Sequence, residues 1–262
     1  MRIFVASDLH VDFKENRLLL ESLDGDAYED DVLIVAGDVA DRLQKIADTL
    51  RLLKSRFRQV FYTPGNHELW VRGEASDSIE KLERILEICD AAGVQTTPAK
   101  IGNYQIVPLF SWYDDSLDSG EPADSKELEG WGDFIFCKWP AVIGDVTRHF
   151  MEMNRQRLTT YSDPVISFSH FLPRRDLLPP TDRLGFKGLP RVAGCVALEQ
   201  QIRQIGSAIH VFGHSHINCD LTIDSIRYVQ NALLYPRERI ALTSAGRQFW
   251  KTNSPLLHLT NA

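Results

Sequence analysis

This chain offers no thiolate metal site. Its four cysteines, Cys89, Cys137, Cys195 and Cys219, are scattered without a CxxC pair. That spacing also argues against a disulfide scaffold and leaves buried or half-buried thiols as the expectation. Long apolar runs are missing too, since none approaches the roughly 18 residues of a membrane span. The first seven residues read as a short strand and lack the apolar core of about 7–15 residues that marks a secretory signal. A cytoplasmic protein with no membrane partner is the simplest expectation. Positive charge is scarce: 29 lysines and arginines stand against 36 aspartates and glutamates, a formal net charge of -7. A global basic field is therefore absent, and no nucleic-acid partner is expected. Internal repeats and low-complexity tracts are absent as well.

The rest of the composition is ordinary for a soluble globular protein. The chain has 262 residues, 44% hydrophobic and 25% charged, enough for one large domain over 1–262 with a sizeable core. Apolar, β-branched-rich runs at 3–7, 32–36 and 60–63 read as buried strands. Between them lie helical patterns. Leu43, Ile46, Ala47, Leu50 and Leu53 recur at helical spacing. Asp77 and Glu80 have capping-box spacing; Ile79, Leu82, Ile85, Leu86 and Cys89 form a stripe; Gly93 provides a stop. Strand, loop and helix alternate, which is the grammar of an α/β protein with functional residues at the carboxyl ends of strands. Further strands are expected at 104–112, interrupted by Pro108, and at 165–169 and 208–212. Helices are expected at 145–160 and 197–205, and a hairpin around Asp224-Ser225.

Five short clusters follow apolar runs. They are Asp8-Leu9-His10, Gly37-Asp38-Val39-Ala40-Asp41, Gly65-Asn66-His67-Glu68, Ser169-His170 and Gly213-His214-Ser215-His216. Each has a bland alternative. Asp38 could bridge two ions or cap the next helix. Asn66 could ligate or simply occupy a Gly-Asn turn. Asp41 could cap a helix or hold an imidazole, and Glu68 is expected to cap or pair rather than ligate. Asp8 and His10 would face the same way in extended backbone. The conjunction outweighs these alternatives, because five of the eight histidines fall in the clusters. His149, His210 and His258 lie outside and read as structural. The donors are nitrogen and oxygen only, a set that suits manganese, iron or zinc and, as a close pair of ions, phosphoester hydrolysis.

In this order the clusters resemble the calcineurin-like metallophosphoesterase superfamily, over positions 8–216 and with no motif position departing from its pattern. The resemblance implies a four-layer α/β/β/α sandwich of two mixed sheets flanked by helices. It implies that Asp8, His10 and His216 hold one divalent ion, that Asn66, His170 and His214 hold a second, and that Asp38 bridges both. His67 would contact the phosphate or protonate the leaving oxygen, with Asp41 orienting its imidazole. A metal-bridging hydroxide would attack the phosphorus of a small phosphomonoester or phosphodiester. A nuclease and a non-catalytic protein-binding scaffold of the same fold are the alternatives.

Specificity must lie elsewhere. Residues 113–160 combine an acidic stretch with Trp131, Phe134 and Trp139, and read equally as a lid near the active site or as a surface excursion anchored by its aromatics. Arg174 and Arg175 could contact phosphate, although solvated loop positions are favoured. Substrate, native metal pair and oligomeric state are open at this point.

Overall fold

The computed structural model describes residues 1–118, 120, 128–244 and 255–262. It begins β1 (Arg2–Ala6), α1 (Lys14–Glu21), β2 (Val32–Ala36), α2 (Leu43–Arg56), β3 (Gln59–Thr63), α3 (Asn66–Leu69) and α4 (Ser78–Ala92). Next come β4 (Ala99–Ile101), β5 (Tyr104–Pro108), α5 (Gly132–Phe136), α6 (Val146–Met153) and β6 (Val165–Phe168). The remainder is α7 (Val196–Gln204), β7 (Ser207–Phe212), β8 (Cys219–Ile223), β9 (Ile226–Gln230), α8 (Pro236–Ser244) and β10 (Leu257–Asn261). Among the described residues, one sheet has the order β10-β1-β2-β3 and the other β4-β5-β6-β7-β9-β8. Both are mixed: β1-β2-β3 and β5-β6-β7-β9 run parallel, while β10, β4 and β8 are antiparallel edges.

The alternation of side chains along each strand builds the layers. Ile3, Val5, Val32, Ile34 and Phe61 point from the first sheet toward Ile106, Ile166, Phe168, Val211 and Val229 of the second. Their neighbours Phe4, Leu33, Val35, Val60 and Tyr62 face the opposite way, into the core shared with Ile46, Leu50, Leu53, Leu82 and Ile85 of the helices. Two-sided burial explains why these runs are continuously apolar rather than alternating. Each aliphatic side chain buried this way contributes roughly 1.5–3 kcal/mol. The result is the expected α/β/β/α sandwich of two mixed sheets flanked by helices. No described helix is long and apolar enough to cross a membrane. Cys89 and Cys195 are buried, and Cys137 and Cys219 half-buried.

Three local differences have physical causes. The helix expected over 145–160 ends at Met153, because the Asn154 amide bonds both the N–H and the C=O of Phe110 (2.9 and 2.8 Å) and draws the chain out of helical path. The strand expected to reach Trp112 ends at Pro108, after which Trp112 and Tyr113 stack (5.0 Å) and turn into the core beside Phe150 and Phe171. Finally, β10 closes the first sheet against β1 with a bulge between Ile3 and Phe4, a pairing that no sequence pattern announces. Within 113–160, Trp139 joins the Trp112 cluster while α5 approaches the site described below. Residues 119 and 121–127 of that segment lie outside the described residues.

Asp77 caps α4 as the sequence predicts, but the reciprocal half of the capping box is shifted by one residue, since Glu80 accepts from Ser76 N at 2.7 Å. The Asp77 carboxylate accepts from the N–H groups of Ile79 and Glu80, both at 2.9 Å, and Gly93 ends the helix at φ 69. Asp77→Ala should lower the unfolding free energy by about 1 kcal/mol, read from the urea midpoint at unchanged slope.

Candidate active site

All five clusters lie just beyond the carboxyl ends of β1, β2, β3, β6 and β7. Parallel strands bring those ends to one edge, so residues far apart in sequence converge. The turn chemistry is unusual. Asp8, His10, Asp38, His214 and His216 all have left-handed backbone, with φ between 42 and 70. Asp8 and His10 therefore reach one site through a left-handed turn, not through the extended backbone expected of them. Their N–H groups bond the carbonyls of Gly37 and Asp38, each at 3.0 Å, which holds the first two loops in register. Gly37, at φ 79, has no room for a side chain: a Cβ there would lie 2.5 Å from His170 Nδ1 and 2.8 Å from Gly65 N.

Glu68 locks the next pair of loops. Its buried carboxylate accepts from the N–H groups of Asp38 (3.1 Å), Val39 (2.5 Å) and Gly65 (2.8 Å). The expectation that Glu68 pairs locally rather than ligates agrees with this arrangement. Asp38 in turn accepts from His67 N at 3.0 Å.

The side chains gather in two groups that share Asp38. In one, His216 Nε2 lies 3.0 Å from His10 Nε2 and 3.4 Å from Asp8 Oδ1. In the other, Asn66 Oδ1 lies 3.1 Å from both His170 Nε2 and His214 Nδ1. Asp38 presents Oδ2 3.9 Å from His10 Nε2 and Oδ1 3.4 Å from His170 Nε2. Donors about 2.1 Å from one cation lie roughly 3 Å from each other when octahedrally placed, and these separations match. The hydrogen bonding matches too. His170 Nδ1 lies 2.9 Å from the Ala36 carbonyl and His216 Nδ1 2.7 Å from Glu238 Oε2, so in the neutral ring each Nε2 carries the lone pair. Asn66 donates its Nδ2 to Asp133, which leaves its oxygen facing the His170 lone pair. Two lone pairs face each other there, an arrangement that a cation stabilises. His214 Nε2 is buried and has no partner among the described groups.

Electrostatics point the same way. Burial, with Glu68 and Asp8 nearby, raises the Asp38 carboxyl well above its usual range, so the site is short of positive charge at the shared position. Burial also pushes His10 and His214 down, leaving neutral imidazoles able to ligate. For Asp8, burial is outweighed by the imidazoles of His216, His170 and His10, which hold it low. For His216, burial is outweighed by Asp8 and Glu238, and the imidazole is pushed up to about 10. Without a cation its Nε2 therefore holds a proton that metal binding would displace, leaving the lone pair free to ligate.

A family model for calcineurin-like phosphoesterases matches residues 1–218. The chain belongs to this family. It is a metal-dependent phosphoric ester hydrolase. It is 30% identical, over 90% of its length and 78% of the relative's, to the acyl-carrier-protein phosphodiesterase PptH of Mycobacterium tuberculosis. It is also similar to the crystal structure of phosphopantetheinyl hydrolase PptH from that organism. The TM-score is 0.78 at 27% identity, covering 98% of this chain and 95% of the other.

Within the phosphoesterase cleft, His67 stacks on Trp70 (centroids 3.8 Å apart) and places Nε2 3.8 Å from Asp38 Oδ2. Asp41 does not reach it. Its carboxylate binds Arg72 Nε at 3.1 Å, and among the described residues no contact joins it to His67. Arg72 lies 5.0 Å over Trp70, so Asp41 touches the imidazole only through two intervening side chains. The nearer group is Tyr235, whose hydroxyl is 3.3 Å from His67 Nε2 and whose ring lies 4.4 Å from that of His10. Glu238 accepts from Tyr235 N at 2.9 Å with the same oxygen that meets His216. Neither Tyr235 nor Glu238 stands out in the sequence, although both follow a strand end, that of β9. Of the residues read as structural, His210 is buried between Ser167 and Ser169, 2.8 and 3.1 Å from their hydroxyls. Arg174 is held by Asp176, Glu199 and Asp224, away from the cleft.

Because Glu68 offers one oxygen or the other to three N–H donors, Glu68→Gln should turn one of these contacts into donor against donor. The expected cost is about 1–3 kcal/mol of stability, read by calorimetry, with weaker divalent-metal binding by the folded fraction.

Proposed function

We propose that this chain is a phosphodiesterase that releases phosphopantetheine from an acyl carrier protein. One observation carries the reading: 30% identity to an acyl-carrier-protein phosphodiesterase over 90% of the chain. The cleft supports it. Its volume is about 770 Å³, in the range of small-ligand sites. Asp38, Asn66, His67, His214 and His216 line it together with Trp131, Leu184, Phe186 and Leu189. Trp131 and Phe186 stack at 5.4 Å. A phosphate attached to a long, largely neutral arm calls for this combination of charged and apolar lining.

Asp8, His10 and His216 would hold one divalent ion, Asn66, His170 and His214 a second, with Asp38 shared. When bound, the pair would supply Lewis acidity and an activated water, and the nitrogen and oxygen donors suit manganese, iron or zinc. Water adds to phosphorus, the bond from phosphorus to the carrier's oxygen breaks, and that oxygen takes a proton. His67 is the acid in this reading, with Tyr235 beside its Nε2. Burial and the neighbouring His216 and His170 push His67 down to about 3, and an anionic phosphoryl group alongside would raise it. Arg237 lines the same cleft, 5.5 Å over the Tyr235 ring, and adds positive charge against the diester.

Incubated with a phosphopantetheinylated carrier protein and Mn²⁺, the enzyme should convert it to the unmodified form, as read by intact-mass spectrometry. Asp38→Asn should stop the conversion without unfolding the chain. An untouched carrier, alongside turnover of bis(p-nitrophenyl) phosphate, would keep the phosphoesterase and remove this substrate. His67→Ala should slow release from the carrier by about 10²–10⁴-fold. The same variant should slow bis(p-nitrophenyl) phosphate far less, because p-nitrophenolate leaves without a proton. Equal losses on both would exclude His67 as the acid.

A further inference from the structure

Asp133 lies in α5, outside the five clusters, yet it touches Asn66 of the second donor group. It is buried, with 3% of its surface exposed, and three N–H donors converge on it. Oδ1 accepts from Asn66 Nδ2 at 2.8 Å and from Trp70 Nε1 at 2.7 Å. Oδ2 accepts from Trp131 Nε1 at 2.8 Å.

The amide of Asn66 is nearly symmetric in shape. Turned by half a rotation it would fill the same space and present NH₂ to His170 and His214, where it could not bind a cation. A carboxylate only accepts hydrogen bonds, so it tolerates just one of the two orientations. With Nδ2 on Asp133, Oδ1 lies 3.1 Å from both imidazoles. The same carboxylate fixes Trp70, the platform under His67, and Trp131, an apolar wall of the cleft.

We infer that Asp133 is a positioning residue that fixes Asn66 as an oxygen ligand and ties that ligand to the substrate-facing tryptophans. The inference rests on Asn66 holding a metal ion, as in the reading above, and not on the identity of the substrate.

The test is Mn²⁺ titration of the metal-free full chain, followed by the electron paramagnetic resonance of free Mn²⁺, with circular dichroism to confirm folding. Asn66→Ala should weaken one binding event. Asp133→Ala should weaken the same event by about 10–100-fold. Asp133→Leu, which fills the space without an acceptor, should do likewise if the alanine variant does not fold. The double variant Asn66→Ala/Asp133→Ala should bind no more weakly than Asn66→Ala, because Asp133 acts through Asn66. Wild-type Mn²⁺ affinity in a folded Asp133 variant, with Asn66→Ala impaired, overturns the inference. Additive losses overturn it as well, since they would mean that Asp133 supports the fold and not the ligand. Wild-type binding by Asn66→Ala removes the two-cation reading, and the inference falls with it.

Discussion

The buried carboxylate of Glu68 is the constraint on which the site depends. It comes from the loop after β3 yet binds N–H groups in both that loop and the loop after β2. Two loops that share no strand hydrogen bonds of their own thereby become one rigid unit. Asp38, the shared side chain of both donor groups, and Asn66, the amide of the second, project from that unit. Buried N–H groups left without partners would cost the protein free energy wherever they lay. Here their satisfaction and the placement of the donors are the same interaction.

Around this unit the molecule uses secondary structure from far along the chain. Glu238, near the start of α8, and the Ala36 carbonyl, at the end of β2, each fix one imidazole through the ring nitrogen turned away from the site. Asp133 performs the matching task for the amide. Holding these three side chains by their outer atoms preorganises the inner atoms, so little of their entropy remains to be lost when a cation binds. The apolar walls of the cleft belong to the same construction. Trp131 answers to Asp133 on its polar edge and to Phe186 on its face. The apolar wall of the cleft and the amide of the second donor group thus share one carboxylate and are not independently adjustable.

Much of this is legible in the sequence, for a local reason. Asp8, Asp38, Asn66, His170 and His214 each follow a buried strand within a few residues, and parallel strands deliver such positions to one edge. What cannot be read is what depends on meetings in space. Asp133 has no strand before it, and its task exists only because an amide and two indoles arrive together. Tyr235 and Glu238 do follow a strand, β9, but Leu233 and Leu234 intervene and hide the signal. The separation of Asp41 from His67 is equally invisible, because Arg72 captures the carboxylate first. In the fold, β10 and the early end of α6 are likewise decided by distant partners, β1 and Phe110.

Five residues of the site carry left-handed backbone without being glycine. That conformation costs of order 1–3 kcal/mol for a side-chain-bearing residue. Among the described residues the candidate site therefore holds five of the nine non-glycine positions with left-handed backbone. Glycine at any of these positions would ease the backbone and delete a functional side chain in the same step. A search for heat-resistant variants that ignored turnover would be drawn toward dismantling the active site. Stability and chemistry oppose one another here residue by residue, and any lasting gain in robustness has to be sought in the sheets and helices beyond it.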